Sequence, residues 1–225
     1  MKDSAASCLT RCPRKVERIF FQLRYGSWFK GKEFSTDWTS YHYAVWTHVL
    51  SPLRKEPLRI LEIGSWEGRS TLFFLNFFLR SSIVCIDTFL GNSEERAYLR
   101  EPMISQLPLI ERRFDRNVAP FLSRIEKIKS ESYVALKELK ALNRVFDVAH
   151  IDGSHLQDDV AADSAGVWEI LAVGGIIIWD DYEFALNLPL EEQPKPAIDA
   201  FLREHEGRYR ILAKTKQVII ERLDD

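Results

Sequence analysis

The stretch Arg59–Thr71, RILEIGSWEGRST, reads as a strand, a glycine turn and the start of a helix. Ile60, Leu61 and Ile63 form the short apolar run of a strand buried on both faces, and Gly64 breaks it. Gly68 closes the turn. Ser70 and Thr71 stand where they can cap the helix that continues through Leu72, Phe73, Phe74 and Leu75, so that its first unpaired N–H groups face whatever lies over the turn. Glycine lets a ligand approach the backbone closely. Such a unit commonly holds a nucleotide cofactor, although the same residues also suit a purely structural turn.

Working outward, Ser82–Ile86 is a second strand, and it ends at Asp87, about 20 residues past the turn, where an acid can accept both ribose hydroxyls of a nucleoside. A charged, proline-bearing loop with a helix holding Phe114 and Asn117 leads to a short third strand, Ile125–Ile128, and then to a helix through Val134, Leu136 and Leu139. Phe146–Ile151 is the fourth strand, running into Asp152-Gly153-Ser154-His155, and a helix with Val160, Asp163 and Val167 follows. A turn at Gly174 and Gly175 precedes a fifth strand that ends in Asp180-Asp181-Tyr182. After a loop over 183–196 come a helix, PAIDAFLREH, and an alternating stretch from Tyr209 to Ile220 with a Lys-rich turn at 214–216, read as an antiparallel pair. The fold expected is α/β: a Rossmann-like doubly wound sheet, mostly parallel with a C-terminal antiparallel strand pair, helices on both faces, and an N-terminal helical arm. The arm is placed at 1–55 and the body at 56–225.

Ligands of an open parallel sheet bind outside the carboxyl ends of its strands. Asp152, Asp180 and Asp181 therefore converge, and three carboxylates together call for a counter-charge; an all-oxygen set suits a hard cation such as Mg²⁺. His155, three residues past Asp152, has the chemistry of a general base near neutral pH, and position alone equally allows a surface histidine. His42 and His48 are six apart, off helical metal-pair spacing, and read as packing or surface residues; His150 and His205 lack the neighbours of a site.

A chain of 225 residues, 46% hydrophobic, can bury a full core. The formal net charge of −2 argues against general nucleic-acid binding. Residues 1–32 hold eight Lys or Arg against Asp3 and Glu17, net +6, so −2 less +6 leaves −8 on the remainder, which suits a bound cation. Three cysteines, Cys8, Cys12 and Cys85, make no disulfide framework and fit a reducing cytoplasm. The longest apolar run, Leu72–Leu79 broken by Asn76, falls far short of the roughly 20 residues of a membrane span. The basic, aromatic arm, with Ile19, Phe20, Phe21 and Leu23, then Tyr25, Trp28 and Phe29, is expected to pack on the body or on a second subunit rather than to touch a membrane surface or cover the substrate.

Assembled, HIDGSH, then GG, then WDDY, then KPAIDAFL resemble the macrocin/catechol-type O-methyltransferase group of the class I S-adenosylmethionine-dependent methyltransferases, over about residues 56–225. Trp66 stands where that superfamily usually has the middle glycine of its first motif, and an aromatic there is similar to the catechol-type and natural-product enzymes. The resemblance implies that Glu62, Gly64, Ser65, Trp66, Gly68 and Ser70 hold the methionine part of S-adenosylmethionine, that Asp87 takes the ribose, and that Ser132 lies near the adenine, with Ser130 in place of a common glycine. Asp152 is implied as both a cofactor-binding and a catalytic residue, Asp152, Asp180 and Asp181 resemble Mg²⁺ ligands, and His155, the other implied catalytic residue, falls where the catechol-type enzymes carry a lysine base. The activity implied is methylation of a hydroxyl on a small molecule. Cephalosporin-hydroxylase-like proteins share the fold and motifs, and a silent cofactor-binding scaffold subunit is the alternative from another class. A nicotinamide dehydrogenase lacks support without the full glycine fingerprint, and phosphoryl transfer lacks a P-loop.

Overall fold

A computed structural model describes residues 24–91 and 103–223. Cys8, Cys12 and the apolar residues Ile19 to Leu23 of the arm lie outside the described residues. Seven strands form one sheet in the order β3-β2-β1-β4-β5-β7-β6: β1 Arg59–Ile63, β2 Ser82–Asp87, β3 Ile125–Lys129, β4 Phe146–Ile151, β5 Leu171–Trp179, β6 Tyr209–Lys214 and β7 Val218–Arg222. The first five are parallel, and β7 enters antiparallel between β5 and β6. The order reverses between β1 and β4, and that switch point opens a crevice at the carboxyl ends of the strands.

Strand alternation builds two cores. Leu61, Ile63, Val84, Ile86, Ala149, Ile151, Ile177 and Trp179 face α4 Ser132–Ala141, α5 Gln157–Ile170 and α6 Pro194–Glu204. Ile60, Ile83, Cys85, Val148, Ile176, Ile178 and Ile219 face α1 Tyr43–Leu50, α2 Arg69–Phe77 and α3 Ile110–Val118. Helix α1 begins at Tyr43; ahead of it Asp37 accepts from the Ser40 amide at 3.1 Å and its hydroxyl at 2.8 Å, making a turn. Tyr43, Trp46 and Leu50 are fully buried against the sheet side of α2, with Trp46 stacked on Phe74 at 5.2 Å.

Two local expectations are corrected. Gly174 and Gly175 lie inside β5 rather than in a turn before it: Phe146 pairs with Leu171 and Val148 with Ile176, an irregularity that the left-handed Gly174 accommodates. Ser70 and Thr71 do not cap α2, whose N-cap is Gly68 without a side-chain bond; their use is described below.

At the switch point the backbones of β1 and β4 nearly touch. Gly64 has φ +81°, and a Cβ there would sit 1.8 Å from the Asp152 carbonyl oxygen. Gly64→Ala is expected to lower the free energy of unfolding by more than about 3 kcal/mol in urea denaturation, since both the left-handed backbone and the collision oppose it.

Candidate functional site

A cavity of about 540 Å³ opens over the switch point. Its floor is the β1–α2 turn, where Gly64, Ser65, Trp66 and Ser70 face inward, with Asp87 at the tip of β2 and Ser130 and Ser132 after β3. Asp152, Gly153, Ser154 and His155 enter from the tip of β4, and Asp180 and Asp181 from the tip of β5. Two residues expected here do not reach the cavity. Gly68 shapes the turn with φ +81° and packs against Phe114 and Val118, where an added Cβ would lie 3.1 Å from each. Glu62 points to the opposite side of the turn.

Glu62 is 0% exposed and holds the turn from behind. Its Oε2 accepts from the Ser65 hydroxyl at 2.9 Å and from the Thr71 hydroxyl, and the Ser70 hydroxyl also bonds to the carboxylate. The register Glu62↔His150 brings the imidazole alongside, Nδ1 at 3.5 Å from Oε1. On the other side of His150, Nε2 is 3.9 Å from Asp180 Oδ2. Asp180 is in turn engaged at Oδ1 by His42 Nε2 at 3.2 Å, by Gln217 Nε2 at 2.7 Å and by the Asp181 amide at 2.9 Å, while Trp46 Nε1 donates to Gln217 at 2.7 Å. His42 and His150, set aside as packing and lone residues from the sequence, are thus members of one buried chain of charge. Although burial alone would lower it, His150 is raised to about 9 by the carboxylates of Asp180 and Glu62 on either side of it. Burial pushes Glu62 and Asp180 upward, but the imidazoles outweigh it and both carboxyls end below their ordinary values.

The signal for His150 was available. Glu62 and His150 are ionisable residues inside otherwise apolar strands, on the same face at the switch point, and a buried charge needs a partner. His42 had no such signal, because only the tertiary fold brings Tyr41-His42 across to β5.

Asp87 accepts from the Trp66 amide at 2.7 Å and the Phe89 amide at 2.6 Å, which ties the tip of β2 to the glycine turn. Burial raises its carboxyl, and the amides of Phe89, Trp66 and Ser65 pull it back in part. Trp66 carries φ +46°, a left-handed backbone where glycine would be unstrained, and its ring lies 5.4 Å from that of Trp38. Trp38 belongs to a wall made by Phe34, Thr36, Trp38, Thr39 and Tyr41. Below it, the Ser35 amide donates to Glu67 at 2.5 Å, the Glu33 amide to Asn117 at 2.9 Å, and Asn117 Nδ2 to the Glu33 and Glu67 carbonyls at 2.8 and 2.9 Å. Arg113 completes the anchor with Glu67 at 2.8 Å and Glu33 at 3.2 Å.

On the opposite wall, His155 Nε2 lies 3.0 Å from Asp181 Oδ2, and the ring stacks on Phe184 at 4.3 Å. Asp181 has φ +55°. Ligand atoms of Asp152, His155 and Asp181 lie within 4.8 Å of one another, and so do those of His150, Asp152 and Asp180. Asp152 is common to both groups, but Asp180 and Asp181 fall in different ones, so the three carboxylates expected to converge do not form a single set. Of the loop 183–196 expected over the site, Phe184 lines the cavity, and residues 194–196 already belong to α6.

The family model for a methyltransferase domain matches residues 61–182, from β1 to just past the tip of β5. A search of curated protein sequences returned no match. Among solved structures, the MycE methyltransferase of the mycinamycin pathway, in complex with Mg, S-adenosylhomocysteine and mycinamycin VI, superposes with a TM-score of 0.58 at 18% identity over 95% of this chain and 56% of its own. The chain thus spans a little over half the length of MycE. Cofactor-bound Rv0187 from MTB gives 0.64 at 12% identity, covering 95% and 99% of the two chains, and the O-methyltransferase NovP gives 0.57 at 16%, covering 80% and 78%. At these identities the likeness is one of fold. No helix among the described residues is long and apolar enough to cross a membrane.

The buried charge chain has a pH signature. His150 is raised in the folded protein from 6.5 to about 9, so its contribution to stability is complete below pH 6.5 and is lost as pH rises through 9. That loss is expected to be about 3 kcal/mol in urea denaturation between these limits, with an NMR titration midpoint of His150 near 9 rather than in the ordinary histidine range.

Proposed function

The chain belongs to the methyltransferase-domain family, and on that premise we propose that it transfers a methyl group from S-adenosylmethionine to a hydroxyl of a small molecule such as a sugar, a phenol or a natural product, with a divalent cation, Mg²⁺, assisting. One observation carries this reading: a single cavity holds a ribose-type acid at the tip of β2, the glycine turn and helix N-terminus after β1, and a carboxylate–imidazole set at the tips of β4 and β5. Asp87 would take the ribose hydroxyls. Gly64, Ser65, Trp66 and Ser70 would lie along the methionine part.

The donor chemistry fits a cation. Asp152, His155 and Asp181 bring ligand atoms within 4.8 Å of one another, whereas Asp180 groups with His150 and Asp152 and has its Oδ1 taken by His42 and Gln217. Such an ion, when bound, lowers the pKa of a hydroxyl that it coordinates. The residues of the chain do the rest. His155 takes the hydroxyl proton, and Asp181 beside it stabilises the imidazolium that forms. S-adenosylmethionine, held by Asp87 and the β1–α2 turn, would supply the methyl group to that oxygen, its carbon–sulfur electron pair leaving on the thioether. Trp38 and Trp66 on one side, with Phe184 on the other, keep water from the sulfonium and the nucleophile. Because methyl transfer is governed by alignment, the turn and the two aromatic walls carry much of the rate by positioning.

Asp181→Ala separates the parts of this reading. It is expected to weaken Mn²⁺ binding, followed by electron paramagnetic resonance, by at least about tenfold, while S-adenosylhomocysteine affinity stays within about threefold. Equal loss of both would count against the metal role. In wild-type incubations with S-adenosylmethionine and a panel of hydroxylated compounds, mass spectrometry is expected to show an acceptor heavier by one methyl in place of one hydrogen; an acceptor heavier by one oxygen would instead indicate hydroxylation.

A further inference from the structure

On the reading that the cavity holds S-adenosylmethionine, we propose that Asp163 receives the exocyclic amino group of the adenine and sets the nucleobase specificity of the site. Asp163 stands on α5, is 2% exposed, and lines the cavity beside Ser132 and Gly153. Its Oδ1 is buried and has no hydrogen-bond partner among the described residues. Its Oδ2 lies 3.6 Å from where a Cβ on Gly153 would project, and Ser132 supplies a hydrogen bond to the carboxyl. A carboxylate oxygen enclosed in this way lacks a donor, and leaving it so is costly.

The direction of the cavity says which donor arrives. A nucleoside whose ribose rests on Asp87 at the tip of β2 has its methionine arm over the β1–α2 turn and its base toward the next strand outward, β3. There the turn of Ser130 and Ser132 meets Asp163. The residues of the transfer chemistry, Asp152, His155 and Asp181, follow from the tips of β4 and β5. Adenine offers one N–H₂ donor on its six-membered ring, flanked by the acceptor N1, so an acceptor oxygen next to a serine hydroxyl is the complement of its polar edge. Burial raises the Asp163 carboxyl to about 7, against the Ser132 hydrogen bond that lowers it. An arriving N–H donor would relieve that strain on the charged form.

The probe is S-inosylhomocysteine, in which a carbonyl oxygen replaces the amino group and would face Oδ1 directly. Calorimetric titration of the full chain should show S-adenosylhomocysteine preferred over it by at least about tenfold. In Asp163→Asn, whose side chain can turn an N–H₂ to that carbonyl, the preference should fall to within about threefold, while the thermal melt shows the variant folded. An unchanged preference in the folded variant overturns the proposal. So does a wild-type protein that binds both nucleosides equally, a result that does not depend on the variant. If wild-type protein binds neither, the cofactor reading fails and this one fails with it; binding without discrimination removes this one alone.

Discussion

The buried chain Glu62, His150, Asp180 and His42 is the interaction on which the site depends. It joins four separate pieces of sequence: the end of β1, the end of β4, the residue after β5, and the segment ahead of α1. Glu62 and Asp180 alone would each be a costly buried charge, whereas His150 between them offsets both. Removing one member by mutation leaves its neighbour uncompensated in the interior. Through Ser65, Ser70 and Thr71, Glu62 passes this order to the turn over which a cofactor would lie. Asp180 passes it to Asp181 through the adjoining amide, and Asp181 to His155.

A second constraint is the near contact of β1 and β4. Gly64 permits the approach that brings Asp152 over the same crevice as the glycine turn. Trp66 accepts a left-handed backbone one turn further on, held by its amide bond to Asp87 and by its ring against Trp38. The wall that carries Trp38 is in turn pinned through Glu33, Glu67, Arg113 and Asn117. Floor and wall therefore form one cross-linked unit, in which Arg113 balances the buried Glu67.

Much of this was legible in the sequence. Apolar runs ending in Asp87, Asp152 and Asp180-Asp181 place carboxylates at the strand ends, and an open parallel sheet then brings those ends to one crevice; the final antiparallel pair followed from the alternation between Tyr209 and Ile220, whereas the place of β1 between β2 and β4 is not written in any local pattern. Orientation within a turn was less legible. Glu62 lies one residue from Gly64's neighbour Ile63 and so points away from the cavity by strand alternation, and Ser70 and Thr71 serve it rather than the helix end. The glycine pair in β5 was read as a turn because residue type marks conformational freedom without saying whether pairing continues through it. His42 and the wall at Phe34–Tyr41 belong to long-range contacts, which no local pattern records.

The central claim is that the crevice at the β1/β4 switch point is a cofactor site. Calorimetric titration of the purified chain with S-adenosylhomocysteine in Mg²⁺-containing buffer tests it most directly. A single saturable site with a dissociation constant on the order of micromolar, lost on replacing Asp87 by alanine, is the predicted result. Absence of binding heat at several temperatures, in protein shown to be folded, would contradict it.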